Sequence, residues 1–191
     1  MTEKKLKAKP LIIALSSIVA VCLIGLSVLQ IIQINTRFPQ TVISSTRLGD
    51  ETELNGLKLK ATSCEMLPYK SIKENEELYS VIAKYDTGEV NLIKACLTIK
   101  NNSDKEAELP LYDVIFQSND WANAVNLEVF KYFNTDKSLS VKLESGESTD
   151  VVLPSLLHKA QFSSKAWDKI EDRDFSLVLS LYPQKRIIEM V

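Results

Sequence analysis

The chain has 191 residues, 45% apolar and 25% charged, with 23 Lys and Arg against 25 Asp and Glu. That is room for one globular domain and one accessory segment, and the near-neutral balance excludes the basic face of a nucleic-acid binder. The charge is uneven: Lys4, Lys5, Lys7 and Lys9 crowd the first ten residues, and Leu11 to Asn35 holds no charged residue.

Residues 1–10 therefore read as a basic tip and residues 11–34 as an apolar rod, broken only by Ser16, Ser17, Ser27, Gln30 and Gln33. About 20 apolar residues in a helix cross the hydrocarbon core of a bilayer, and lipid obliges the backbone to satisfy its own hydrogen bonds. A core helix would keep a polar face, which this run lacks. A cleaved signal would have a shorter apolar region and a small-residue site after it. Cys22 follows Val21, where a lipoprotein signal carries a small residue. The reading is a single transmembrane helix, an uncleaved signal-anchor lodged in the lipid bilayer. The lysine-rich flank predicts a cytoplasmic N-terminus and an extracytoplasmic body at the cell membrane.

Residues 35–49 read as a tether, with Pro39 and the polar alternation at Thr41–Ser45. The body is expected over 50–191. Leu57, Leu59 and Ala61 alternate with Lys58, Lys60 and Thr62 after an Asn55-Gly56 turn, and Ile93, Ala95, Leu97 and Ile99 alternate with Lys94, Cys96, Thr98 and Lys100. Period two marks strands with one buried face. Leu78–Tyr85 fits strand or helix, and Asp86-Thr87-Gly88 is a turn. Leu111–Gln117 is a strand; Trp121–Phe133 is ambiguous. Residues 139–143 and 148–153 flank a Glu144–Glu147 turn as a hairpin that Pro154 ends. Ser163 caps a short helix to Ile170, Phe175–Tyr182 is a strand, and Arg186–Val191 is an edge strand. Seven or eight short strands with one or two short helices predict an all-β antiparallel sandwich.

Three strings carry a resemblance: Asn55-Gly56-Leu57-Lys58-Leu59, Leu97-Thr98-Ile99-Lys100-Asn101-Asn102-Ser103, and Leu143-Glu144-Ser145-Gly146-Glu147-Ser148. They resemble the immunoglobulin-like, membrane-anchored extracytoplasmic domains of unknown function found in Gram-positive bacteria. Ser145 stands where that group has Pro. The resemblance implies an immunoglobulin-like sandwich and an extracytoplasmic location, and no activity.

Chemistry is sparse. The lone His158 sits beside Leu156 and Leu157 with no nucleophile elbow, and the five glycines form no phosphate loop. No catalytic residue, metal site or cofactor is expected. Asp168, Glu171, Asp172 and Asp174 are the one carboxylate cluster, offering a cation-dependent hydrolase as the enzyme alternative; Lys169 and Arg173 between them favour a solvated turn. Cys64 and Cys96 fall in the outward phase of their strands, which leaves open a disulfide between them outside the cell. Trp121, Trp167, Tyr112, Tyr132 and Tyr182 could make an aromatic patch, though sandwich cores usually absorb such residues. The function expected is a non-enzymatic binding or accessory module with a protein or peptide partner, or alternatively an immunity or sensing protein for an exported peptide.

Overall fold

The computed structural model describes residues 3–39, 41–85 and 89–190, with side chains from residue 12 onward; the turn expected at Asp86-Thr87-Gly88 and the last residue of the C-terminal strand lie outside them. The chain divides after Thr41 into two units. The first holds one helix, α1 (Glu3–Arg37). Its stretch from Ile12 to Arg37 is long and apolar enough to cross a membrane, about 39 Å at the helical rise. The serines in the apolar run are turned onto their own backbone: Ser17 Oγ donates to the Ile13 carbonyl and Ser27 Oγ to that of Leu23, each at 2.9 Å. Hydroxyls satisfied this way do not interrupt an apolar rod.

The second unit is a two-layer β-sandwich with a few short helices. Its strands are β1 (Val42–Arg47), β2 (Glu51–Leu54), β3 (Leu57–Leu67), β4 (Val90–Asn101), β5 (Ala107–Pro110), β6 (Ile115–Ser118), β7 (Trp121–Ala124), β8 (Ser140–Leu143), β9 (Ser148–His158), β10 (Ser176–Ser180) and β11 (Gln184–Glu189). Helices α2 (Tyr69–Glu74) and α3 (Glu76–Ile82) follow β3; α4 (Leu127–Phe133) follows β7, and α5 (Ser164–Trp167) follows β9. One sheet has the order β1-β11-β10-β6-β7, the other β2-β3-β4-β9, and β5 pairs with β8 in a small ribbon.

Alternation holds where one sheet face meets the core and the other meets water. Leu57, Leu59 and Ala61 on β3 and Ile93, Ala95, Leu97 and Ile99 on β4 are buried against Phe116, Leu177 and Ile188 of the facing sheet. Where helices cover the outer face as well, alternation gives way to a continuous apolar run. Ile72, Leu78, Ile82 and Val129 of α2, α3 and α4 pack there on Val90, Leu92 and Leu156.

Three expectations are corrected. Residues 42–47 are not tether but strand, and β1 lies parallel to β11, the exception to the antiparallel pattern. The strands flanking the Glu144–Glu147 turn do not pair with each other: β8 joins β5, and β9 joins β4. Pro154 does not end β9, which continues to His158, because β9 is an edge strand and tolerates a missing N–H.

The register also sorts the ends of the sandwich. Val42 lies opposite Gln184, so the Leu181–Pro183 turn between β10 and β11 sits at the end where β1 begins. Helices α2 and α3 lie at the opposite end, beside Val90 and Leu92.

Candidate functional site

The two cysteines of the sandwich occupy different faces. A bulge between Ala61 and Ser63 shifts the β3 register by one residue, so that Cys64 lies opposite Ala95 while Cys96 lies opposite Ser63 and Val152. An extra residue inverts the inside-outside phase of everything beyond it. Cys64 therefore packs with Met66 against the core, and Cys96 keeps its outward phase. Both are free thiols, and the expected shared face is corrected. Burial first, and the nearby Cys96 second, push the Cys64 thiol up to about 11.

At the end away from the start of β1, polar groups serve the scaffold. Trp121 meets a tilted Phe162 and, edge to face, Phe175, each at 5.9 Å between ring centres, and Phe162 meets Trp167 at 5.8 Å. The Trp121 indole N–H donates to Gln161 Oε1, which also accepts the His158 backbone N–H, both at 3.1 Å. Trp167 Nε1 donates to Glu89 Oε2 at 3.0 Å, and Lys159 Nζ lies 3.1 Å from the same oxygen. The indole bond, then that from Lys159, holds the Glu89 carboxyl below its ordinary 4.5. Arg173 leaves the acidic cluster and bonds the Ser118 carbonyl at 3.0 Å and Asp120 Oδ1 at 2.8 Å. That bond holds Asp120 below the usual carboxylate range.

Asp168, Glu171, Asp172 and Asp174 are all exposed. Among the described residues no three His, Cys, Asp or Glu side chains come together as a metal set. Of the five aromatic residues considered for a patch, Trp121 and Trp167 belong to the core, whereas Tyr112 and Tyr182 are 56% and 60% exposed.

Those two tyrosines lead to the remaining candidate. At the end where β1 begins, a cleft of about 550 Å³ opens between the β2–β3 turn, the β5–β6 connection and the β10–β11 turn. The buried Leu109 and Leu179 form its floor. Leu181, Tyr182, Asp113 and Arg186 stand around it, and the Tyr182–Pro183 bond is cis. Among the described residues no hydrogen bond or ion pair engages the Arg186 guanidinium or the Asp113 carboxylate. A half-buried cation above leucines beside an exposed aromatic ring suits an amphiphilic ligand with an anionic group. The sequence singles out Tyr112 and Tyr182 as members of an aromatic patch but misses the cleft beside them, because its walls come from three distant segments.

The profile of one family covers residues 40–186, the sandwich almost entire. The chain belongs to that family, described as a domain of unknown function (DUF5028). Its sandwich is similar to solved proteins from Gram-positive bacteria. One, an uncharacterized β-sandwich protein from Clostridium difficile 630, is 12% identical with a TM-score of 0.43, covering 80% of this chain and 97% of that one. The yjhA protein of Bacillus subtilis is 8% identical with a TM-score of 0.47, covering 76% and 99%. A functionally unknown protein of Listeria monocytogenes EGD-e is 14% identical with a TM-score of 0.45, covering 66% and 69%. No curated protein matches the chain.

Proposed function

We propose that this chain is a membrane-tethered extracytoplasmic binding module without catalytic chemistry, its N-terminus cytoplasmic and its cleft at the β1 end serving as the binding site. The charge asymmetry around residues 11–34 supports the orientation. The observation that carries the binding role is Arg186, a cation that no hydrogen bond or ion pair engages among the described residues, set in a leucine-floored cleft beside Tyr182. Leaving a half-buried guanidinium unpaired is costly unless a ligand or solvent completes it.

Capture of the full chain after crosslinking in its own membrane, wild type beside Arg186→Glu, tests the cleft. The proposal expects a protein or lipid class recovered with wild type and lost with the variant; identical recoveries would sink it. Protease added to intact protoplasts should remove the sandwich, and protection of the sandwich would reverse the orientation.

A further inference from the structure

The sandwich carries four sulfur side chains, Cys64, Met66, Cys96 and Met190. Three of them, Cys64, Met66 and Met190, line one cavity of about 270 Å³. They come from both layers. Cys64 and Met66 belong to β3, and Met190 follows β11, where its N–H donates to the Phe175 carbonyl at 2.9 Å. β2 pairs with β3 only from Leu57 to Lys60, and the cavity opens beside the stretch of β3 beyond it.

The bulge between Ala61 and Ser63 creates the arrangement. Unbroken alternation from Leu57, Leu59 and Ala61 would turn Ser63 and Glu65 inward. With the extra residue, Cys64 and Met66 take the inward phase, opposite Ala95 and Ile93, and Glu65 turns out to Lys94, 3.0 Å away. Bulges often re-aim side chains beside functional sites. Methionine and cysteine also serve as plain core filler, but filler is enclosed on all sides. These three are half-buried and face open space.

The chemistry of the set is selective. The cysteine offers a thiolate and each methionine a thioether, the soft donors that hold copper(I). Zinc takes thiolate, imidazole or carboxylate, four ligands in its structural sites, and the described residues bring no three His, Cys, Asp or Glu side chains together. Ile93 and Phe175 supply an apolar wall, which limits the access of water to weakly held thioethers. Asp172 and Asp174 stand at the mouth. Arg173 beside them is committed to Asp120, so the entrance favours a cation.

We infer that Cys64, Met66 and Met190 form a soft-metal site for copper(I) between the two sheets. On binding, Cys64 releases its proton to solvent as the sulfur–copper bond forms, so thiolate and ion together are neutral. No change of oxidation state is involved. The site stands independently of the cleft at Arg186 and of the orientation of the chain in a membrane.

The test uses full chain in micelles carrying Cys22→Ser and Cys96→Ser, which leave Cys64 as its one cysteine, titrated anaerobically with copper(I) against a chromophoric chelator. One ion should bind per chain. Changing an outer-shell partner costs metal sites about 10–100-fold in affinity, and losing a thioether ligand should cost no less. Met66→Leu and Met190→Leu should therefore each weaken binding about tenfold or more, and Cys64→Ser should abolish it. Leucine closely matches methionine in volume, and tryptophan fluorescence during urea unfolding checks that each variant is folded. X-ray absorption at the copper edge should show three sulfur neighbours in the parent chain. Unchanged affinity in the Met66→Leu/Met190→Leu double variant, or a single sulfur neighbour, would reduce the site to a lone thiol and overturn the inference. Displacement of copper(I) by equimolar zinc would overturn its soft character.

Discussion

Asn134 completes the open edge of β9 through a single residue: its Nδ2 donates to the Val152 carbonyl at 2.8 Å, and its Oδ1 accepts the Val152 N–H at 2.9 Å. One amide side chain thus acts as a strand neighbour of one residue's length. The same Nδ2 donates to the Phe130 carbonyl at 2.9 Å, tying the end of α4 to that edge.

Asn134→Ala should therefore strip both partners from Val152, while the Phe130 carbonyl keeps the backbone N–H of residue 134. Each half-buried polar group left unpaired costs about 1–3 kcal/mol, so a loss of roughly 2–3 kcal/mol is expected. Both tryptophans lie in the sandwich and are buried, so their fluorescence during urea unfolding of the full chain in micelles reports this unit alone. An unchanged midpoint would mean water replaces the amide at no cost.

Gly56 offers a sharper contrast. It has φ +81°, and a Cβ there would stand 3.2 Å from Ser103 Cβ. Ser103 cannot easily yield, because its N–H and Oγ both donate to Asn101 Oδ1, at 2.9 and 2.8 Å. Gly146 has the same φ but open space around it. Left-handed backbone costs a non-glycine residue about 1–2 kcal/mol, so Gly146→Ala should lose about that much. Gly56→Ala should lose measurably more. Equal losses would show that the Ser103 contact relaxes freely.

The parts of this fold that the sequence discloses are those where a single chemical pattern decides. Leu57–Ala61 and Ile93–Ile99 are legible because one face is leucine-like and the other lysine-rich. β1 is not, since its side chains alternate between exposed and half-buried and it is held by main-chain pairing to a strand about 140 residues away. Trp121–Phe133 gives both signals because it holds both structures: Asn126 divides them, accepting the N–H groups of Glu128 and Val129 as the cap of α4. The Glu144–Glu147 turn is local and readable, whereas the choice of partner for β8 and β9 is long-range and is not. The cleft is the extreme case, since the spacing of Leu54, Leu109 and Arg186 along the chain says nothing of their convergence.

Glu89 sets an acid dependence. Its carboxyl titrates below 4.5 because the Trp167 indole, and after it Lys159, bond the charged form. A depressed folded value gives stability that is complete above the unfolded value and fades as pH falls through the folded one. The wild-type chain should thus weaken below about pH 4.5 more steeply than Glu89→Gln, whose amide oxygen still accepts the indole but does not titrate. Parallel acid curves for the two chains would show that Glu89 carries no linked proton.

Cys64 sets the alkaline one. Its folded thiol ionises only at about 11, against an ordinary 9.0, so between those values the unfolded chain loses a proton that the folded chain retains. Stability contributed by the neutral thiol is whole below pH 9 and declines toward pH 11. Two units correspond to about 2.7 kcal/mol, and solvent reaching its half-buried side lowers the expected loss to roughly 1–2 kcal/mol. Comparing the wild-type chain with Cys64→Ala at pH 8 and pH 10.5 isolates the thiol's contribution; the variant should lose less stability between the two values. The bulge before Ser63 adds a chemical signature. A charged maleimide at pH 7.5 should modify Cys96, on the outer sheet face, well before Cys64, and prior treatment with reductant should change neither rate. Equal labelling of the two thiols would return Cys64 to the outer face and place the register shift elsewhere in β3.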